Sequence, residues 1–204
     1  MRDAVVRDPG RGFADPVFDA QAAFRGLQNA MARPGLPQTV TRQGQGAVEG
    51  LSPAAAATLL CLTDYTTPVW LAHGDEHPAA AWLAFHTGAR TAAKVENAQF
   101  AVLALGAAAP LLSDFAAGDD CYPDRSATLI VECRDFINGA KVRLSGPGIH
   151  DAVEIAPRGL RPSFWTEMAG NAVRFPLGVD VFLTAADSVI GLPRSSRIQF
   201  AEIT

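Results

Sequence analysis

The segment AQFAVLAL, residues 98–105, is a long apolar run in which polar and apolar residues do not alternate. A strand with one face in water alternates apolar and polar side chains, whereas a strand covered on both faces stays apolar throughout. The segment therefore predicts a strand in a sheet with layers on both sides. Such sheets are typical of α/β proteins, in which helices pack on the faces of the sheet.

Helices are predicted both before and after this strand in the sequence. Asp15 and Pro16 begin an amphipathic helix over 16–32, and RPGLP at 33–37 ends it. Ser52 and Pro53 begin a second helix, which is apolar on nearly all faces. Three further helical segments are expected at 78–87, at 110–118 and at 161–174.

The remaining apolar segments predict strands at 67–72, 126–133, 140–146, 149–156, 178–185 and 188–193. Asn138-Gly139 is a dipeptide favoured in tight turns, so we expect 126–133 and 140–146 to pair as a hairpin. The predicted fold is α/β, with a mixed sheet sandwiched between helical layers. We expect a loosely ordered segment at 1–14 and a single α/β domain over 15–204.

Composition excludes several functional classes. The chain has 204 residues and a net charge of −4, which disfavours a dedicated nucleic-acid-binding role. Its three cysteines form no CxxC pair, so free thiols in a reducing cytoplasm are expected. The longest uncharged run, 97–113, is interrupted by Gly106 and Pro110, so we expect no membrane span.

LSGPGI, residues 144–149, suggests a phosphate loop because Gly146 and Gly148 follow a predicted strand. A phosphate loop needs a helix directly after it, and here the next segment is a poor helix with the wrong glycine spacing. We interpret LSGPGI as a bend in a strand. A contact between Gly146 or Gly148 and the phosphates of a nucleotide stays open as an alternative.

PRSSRI, residues 193–198, is the strongest anion-binding candidate on chemical grounds. Arg194 and Arg197 supply guanidinium donors, and Ser195 and Ser196 supply hydroxyls, which together suit a phosphate or phosphonate. The alternative is a solvated strand whose arginines pair with nearby carboxylates.

Two weaker constellations carry alternative functions. His73 and His77 in HGDEH suggest a metal site, and with it a metal-binding regulator, although Gly74 and Pro78 oppose the helix that such a pair normally needs. His86, with Asp64 or Glu167 as its acid–base partner, would serve an independent enzyme acting on a phosphorylated small molecule. Packed or solvated side chains are the alternative for each.

Several segments together resemble the PhnH family, subunits of the bacterial carbon–phosphorus lyase core complex. They are DAQAAFRGLQNAMARPG, DYTTPVWLA, FHTGA, AQFAVL, SATLIVEC, RLSGPGI and FPLGVDVFLTAADSVIGLPRSSRI. The resemblance runs from about Asp15 to Ile198 and keeps both the order and the spacing of these segments.

The resemblance implies a fold related to that of the pyridoxal-phosphate-dependent transferases, a homodimer, and assembly with other subunits of the core complex. That complex transfers ribose 5-triphosphate from ATP to an alkylphosphonate and releases adenine, and the family member is an accessory, non-catalytic subunit. The chain has only two lysines, Lys94 in a polar stretch and Lys141 just past the predicted turn. Neither suits a Schiff base at the bottom of a pocket, so we predict no bound pyridoxal phosphate and no other cofactor, with ATP a substrate of the complex.

Overall fold

A computed structural model describes residues 10–41, 48–105 and 109–200 of the chain. Within these ranges the helices are α1 (Pro16–Ala32), α2 (Pro53–Leu62), α3 (Pro78–Thr87) and α4 (Phe164–Val173). The strands are β1 (Gln38–Thr39), β2 (Val69–Leu71), β3 (Phe100–Leu103), β4 (Thr128–Glu132), β5 (Val142–Ser145), β6 (Val153–Ile155), β7 (Asp180–Ala185), β8 (Ser188–Leu192) and β9 (Arg197–Phe200).

The first three helices begin as the sequence predicts. The Asp15 carboxylate accepts hydrogen bonds from the first turn of α1, and the Ser52 hydroxyl accepts one from Ala55 N at 3.1 Å in α2. Proline follows each cap, where its missing N–H is not needed. The expected helix at 110–118 is shorter than predicted, a single 3-10 turn at Leu112–Asp114.

Six strands form one mixed sheet in the order β1-β8-β7-β4-β3-β2. The four strands β2, β3, β4 and β7 are parallel to one another, β8 pairs antiparallel with β7, and β1 pairs antiparallel with β8. On one face, Val102 and Ile130 pack against α2 and α3. On the other face, Ala101 and Leu129 pack in one cluster with α4. The α/β class and the mixed, covered sheet are therefore confirmed.

The predicted hairpin between 126–133 and 140–146 is wrong. β4 is paired in parallel on both sides, with β3 and β7, whereas β5 lies in a second sheet of order β6-β5-β9. The turn closes within residues 135–139, where the Asp135 carboxylate accepts from the N–H groups of Ile137 and Asn138. The chain therefore leaves the first sheet instead of folding back on it. The predicted strands 178–185 and 188–193 form β7 and β8, which pair antiparallel as a hairpin.

The four parallel strands give the large sheet two distinct ends. We call the end at which β2, β3, β4 and β7 finish the carboxyl edge, and the end at which they start the amino edge. α2 begins at the carboxyl edge, since Ala54 N donates to the carbonyl oxygen of Ala186 directly after β7. In an open α/β sheet, ligands bind by preference beyond the carboxyl ends of the strands.

None of the helices in the described ranges is long and apolar enough to cross a membrane. Of the N-terminal segment predicted to be loosely ordered, residues 1–9 lie outside the described ranges. In the described part of that segment, the carbonyl oxygens of Gly10 and Arg11 are hydrogen-bonded by His86 and Trp82 of α3.

Candidate functional site

Glu132, the last residue of β4, is a buried carboxyl group at the carboxyl edge. It is 7% exposed. Its Oε1 accepts a hydrogen bond from Ser52 N at 2.7 Å, and its Oε2 accepts one from Thr184 Oγ1 at 3.0 Å. Burial raises the pKa of Glu132, and the hydrogen bonds from Ser52 and Thr184 lower it in part.

Two hollows meet at Glu132. The first, of about 280 Å³, has mainly apolar walls and reaches from the end of β3 to the start of α4; it is lined by Leu103, Ala104, Ala109, Val131, Glu132, Gly159, Leu160, Arg161 and Phe164. The second, of about 360 Å³, lies at the start of α2; it is lined by Gly50, Leu51, Ser52, His73, Ala104, Leu105 and Glu132. Glu132 and Ala104 line both hollows, and the hydrogen bonds from Ser52 and Thr184 hold the Glu132 carboxyl group on the α2 face of the sheet.

Arg161 closes one side of the first hollow, and its charge is already balanced. Its Nε donates to Glu167 at 2.9 Å, and its Nη2 also donates to the Glu167 carboxylate. Its Nη1 donates to the carbonyl oxygens of Ala109 and Pro110. Arg161 therefore serves mainly to fix α4 and residues 109–110 at the mouth of the hollow.

Arg194, the leading anion candidate of the sequence, lies at the amino edge in a dense network of hydrogen bonds. Its Nε and Nη2 donate to both carboxylate oxygens of Asp180. Its Nη1 donates to the carbonyl oxygens of Pro123 and Pro176, and its Nη2 also donates to Ser126 Oγ. A guanidinium has five N–H donors, and here each has an acceptor within the protein.

The other members of the predicted anion site are dispersed. Arg197 is exposed in β9, and Ser195 is half-buried before it. Ser196 is 2% exposed, and its Oγ has no hydrogen-bond partner in the described part of the chain. Anion binding by residues 194–197 stays a prediction, and an anion at Arg194 would have to displace Asp180.

The LSGPGI segment forms the turn between β5 and β6, and its glycines are in close contact with neighbouring backbone. A Cβ on Gly148 would lie 2.3 Å from the carbonyl oxygen of Ala32, and one on Gly146 would lie 3.0 Å from that of Ser195. Both glycines have positive φ, 81° and 129°. This geometry explains both glycines structurally, and the alternative of a nucleotide contact stays a prediction.

The two histidines of the predicted metal site lie side by side at the carboxyl edge. Their rings stack with centroids 4.3 Å apart, and His77 Nδ1 accepts a hydrogen bond from Ala79 N at the start of α3. Burial and the neighbouring His77 lower the pKa of His73. In the ranges that the structure describes, no group of three or more His, Cys, Asp or Glu side chains could hold a metal ion.

The acid–base pairing of His86 with Glu167 does not assemble. His86 belongs to α3 on one face of the large sheet, and Glu167 belongs to α4 on the other. Burial raises the pKa of Glu167, but hydrogen bonds from Arg161, Ser163 and Leu112 outweigh it, so the net shift is downward. Asp64, after the end of α2, accepts hydrogen bonds from Thr66 and Thr67. Each candidate carboxylate therefore serves local structure.

Sequence reasoning missed Glu132. The available signal was a charged residue directly after the apolar run ATLIV, residues 127–131, in a strand that is covered on both faces. A charge in such a position is rare unless it is paired or functional. Its partner Ser52 lies 80 residues earlier in the chain, and local patterns do not reveal contacts over that distance.

The fold and the site define a class: an α/β protein with a mixed sheet, whose most prominent charged side chains are held in structural hydrogen bonds. Within that class, the chain belongs to the family described as bacterial phosphonate metabolism protein (PhnH), whose model matches residues 11–199.

Two curated relatives agree with this assignment. The alpha-D-ribose 1-methylphosphonate 5-triphosphate synthase subunit PhnH of Rhizobium meliloti (strain 1021) is 40% identical over 188 residues, which cover 92% of this chain and 94% of the relative. The putative C-P lyase subunit protein HtxG of Stutzerimonas stutzeri is 31% identical over 182 residues, which cover 87% and 85%. The family resemblance stated from the sequence is thereby confirmed.

Proposed function

We propose that this chain is an accessory subunit of a carbon–phosphorus lyase complex in phosphonate metabolism. The strongest support is a relative named as a subunit of a ribose 1-methylphosphonate 5-triphosphate synthase. This chain is 40% identical to it, and the match covers 94% of the relative's length. The proposed role is to support the transfer of ribose 5-triphosphate from ATP to an alkylphosphonate, with the chemistry carried out on other subunits.

The hydrogen-bonding of the polar side chains supports a non-catalytic role. All five donors of Arg194 are occupied, and Glu167 is fixed by Arg161, Ser163 and Leu112. A catalytic acid or base needs free access to a substrate atom, and a saturated side chain does not offer it.

We also propose that the chain binds no pyridoxal phosphate, even if its fold is related to that of the transferases that do. Lys94 is 71% exposed beside Glu96, and Lys141 is 66% exposed in an ion pair with Glu154 at 2.8 Å. A Schiff-base lysine is normally desolvated in a pocket, and both positions lack that environment. Protein incubated with pyridoxal phosphate and then dialysed should retain no absorbance of the bound cofactor, and a retained band would contradict the proposal.

For the assembled state we propose a cytoplasmic homodimer that joins the other subunits of the complex. Large apolar side chains that remain in water support an assembly surface, among them Val173 at the end of α4, Phe175 after it and Leu111. Monomers seldom leave such side chains clustered without a partner. Light scattering on the purified chain gives the dimer directly.

The test of the accessory role is a tagged pull-down from the source cells grown on methylphosphonate as the sole phosphorus source. We expect the other subunits of the complex in fixed proportion, and none in extracts from cells grown on inorganic phosphate. A second test places the gene in a Rhizobium meliloti strain that lacks its 40% identical relative. Restored growth on methylphosphonate supports the proposal, whereas recovery of this chain alone in the pull-down contradicts it.

A further inference from the structure

The small sheet, β6-β5-β9, has one buried face and one exposed face. On the buried face, Leu144 of β5 and Ile155 of β6 pack in one cluster with α4. Side chains alternate between the two faces of a strand, so Arg143 of β5 points away from that cluster, and it is exposed. Arg197 and Gln199 of β9 are exposed in the same way. We call the side of the small sheet that bears these three residues the outer face.

Strand register brings the polar side chains of the outer face together. Gln199 lies opposite Arg143, and Arg197 lies opposite Ser145, two residues further along β5. Arg143 and Arg197 therefore occupy diagonal positions of an antiparallel pair, about 7–8 Å apart and within reach of one another's long side chains. The Ser145 hydroxyl and the Gln199 amide lie between the two guanidinium groups, so four hydrogen-bond donors share one patch.

The positive charge of this patch is not balanced within the sheet. Glu154 of β6 lies opposite Arg143, but its carboxylate forms an ion pair with Lys141 at 2.8 Å. In the ranges that the structure describes, the guanidinium groups of Arg143 and Arg197 have no acceptor of their own. Three cations and one carboxylate leave two positive charges in excess on the outer face, although the whole chain carries −4.

Shape and charge together indicate what this face binds. Small ligands bind in concave sites, whereas the face of a sheet is broad and shallow and suits the surface of another protein. A second copy of this chain, placed by a twofold axis, would bring the same positive charges against each other, and like charges repel. Carboxylates match the geometry of guanidinium groups and can accept two hydrogen bonds from each.

We propose that the outer face of the small sheet is a docking surface for an acidic segment of another protein, whose carboxylates accept hydrogen bonds from Arg143 and Arg197. This inference goes beyond the accessory role, because it names the chemistry of one contact and does not require the partner to belong to the complex. Both arginines are exposed, so the contact weakens as ionic strength rises.

The test titrates the purified full-length chain at low salt with a hexaglutamate peptide, and with hexalysine as the probe of opposite charge. Backbone amide NMR signals of residues 143–145 and 197–199 should shift saturably with hexaglutamate and return when salt is raised to about 0.5 M. They should stay in place with hexalysine. Hexaglutamate shifts confined to other residues overturn the proposal, as does an absence of saturation by about 10 mM, a dissociation constant at which binding is very weak.

A small anion is the rival occupant of this patch. Inorganic triphosphate is therefore titrated against the same amide signals. Saturation at a lower concentration than hexaglutamate would identify a small-anion site and overturn the proposal, whereas saturation only at a higher concentration supports it.

Variants locate the contact. Arg143→Gln/Arg197→Gln removes both charges, keeps polar side chains and should weaken hexaglutamate binding tenfold or more. The matched control, Arg25→Gln/Arg90→Gln, changes the net charge equally at exposed positions in α1 and after α3, and it should bind within about twofold of the unmodified chain. Equal weakening by the two double variants overturns the proposal, and so does unchanged binding by Arg143→Gln/Arg197→Gln.

Light scattering tests whether the outer face instead joins two copies of this chain. Arg143→Gln/Arg197→Gln should have the same molar mass in solution as the unmodified chain. A change of mass in this variant and not in the Arg25→Gln/Arg90→Gln control would assign the face to self-association and overturn the proposal.

Discussion

The amino edge of the large sheet carries a basic side chain, Arg194, and the carboxyl edge carries an acidic one, Glu132. Their hydrogen bonding differs greatly. At the amino edge, Arg194 donates from all five N–H groups to acceptors on four separate residues. At the carboxyl edge, Glu132 accepts two hydrogen bonds and is a lining residue of two hollows. The difference teaches that charge alone does not indicate function, because unused hydrogen-bonding capacity beside free space is also required.

The comparison predicts that Arg194 is a structural residue. Arg194→Ala leaves Asp180, a half-buried carboxylate, without its cation, and removes bonds that join residues 123–126 to 176–180. We expect the free energy of unfolding to fall by about 3 kcal/mol, the lower end for a broken buried ion pair.

Urea denaturation measures this change. Arg197→Ala is the matched control, because Arg197 is exposed in β9, and it should change stability by less than about 0.5 kcal/mol. Equal effects of the two substitutions would show that the network around Arg194 contributes little.

Glycine substitutions sharpen the contrast between a tightly packed and an open region. Gly148 and Gly74 have nearly the same φ, 81° and 82°. A Cβ on Gly148 would meet the carbonyl oxygen of Ala32 at 2.3 Å, whereas one on Gly74, which follows β2 at the carboxyl edge, would meet nothing within 4 Å. Backbone strain of about 1–2 kcal/mol applies to both Gly→Ala variants, and steric overlap adds to it at Gly148 alone.

Thermal melts of the two variants check this expectation. Gly148→Ala should be less stable than Gly74→Ala by about 2 kcal/mol, within the range of an overpacked site. Indistinguishable melting temperatures would contradict a structural role for the LSGPGI turn.

The contribution of Glu132, at the carboxyl edge, to the free energy of unfolding should fall as pH rises. The contribution of a carboxylate in a stabilising ion pair changes with pH in the opposite direction. Because burial raises the pKa of Glu132 above its usual 4.5, the folded state binds this proton more tightly than the unfolded chain does. The contribution of Glu132 to stability is therefore greatest at low pH and declines as pH rises from 4.5 through the pKa in the folded state.

Glu132→Gln does not titrate, so its stability relative to the unmodified chain should increase as pH rises from about 4 to about 8. Urea denaturation across this range gives the difference directly. A relative stability that falls with pH would mean that Glu132 behaves as a stabilising carboxylate in the folded state.

The smallest changes in stability are expected when either of two buried hydroxyl groups is removed. Ser196 Oγ, near the amino edge, has no partner in the described ranges, so Ser196→Ala should leave stability unchanged or raise it by up to about 1 kcal/mol. Thr184 Oγ1, at the carboxyl edge, donates to Glu132, so Thr184→Val should lower stability by about 1–2 kcal/mol. Chemical denaturation distinguishes the two, and a marked loss for Ser196→Ala would reveal a partner for its hydroxyl.

The fold class could be predicted because covered strands and capped helices are local patterns. The apolar run at 98–105 predicted β3 and the layers that cover both faces of its sheet, and Ser52-Pro53 predicted the start of α2. Strand pairing is not local. Asn138-Gly139 indicates a turn but does not determine the partner of β4, which is set by parallel neighbours on both sides.

The site was less predictable for the same reason. PRSSRI shows that Arg194 has basic and hydroxyl neighbours, but its acceptors Asp180, Ser126 and Pro123 lie 14, 68 and 71 residues away in the chain. Glu132 is visible in the sequence as one charge after an apolar run. The hollow beside it is built by β3 and by residues 159–164, so only the folded chain shows it.

The order of the small sheet, β6-β5-β9, has a consequence for synthesis on the ribosome. β5 and β6 are adjacent in the chain and can pair at once, but the other edge of β5 is completed by β9, the last strand described. About 50 residues separate β5 from β9, and at roughly 5–20 residues per second the nascent chain carries β5 with one open edge for about 3–10 s. During that interval its unpaired N–H and C=O groups are open to any other extended segment, so the speed of translation over residues 146–200 sets how long the growing chain is exposed to mispairing.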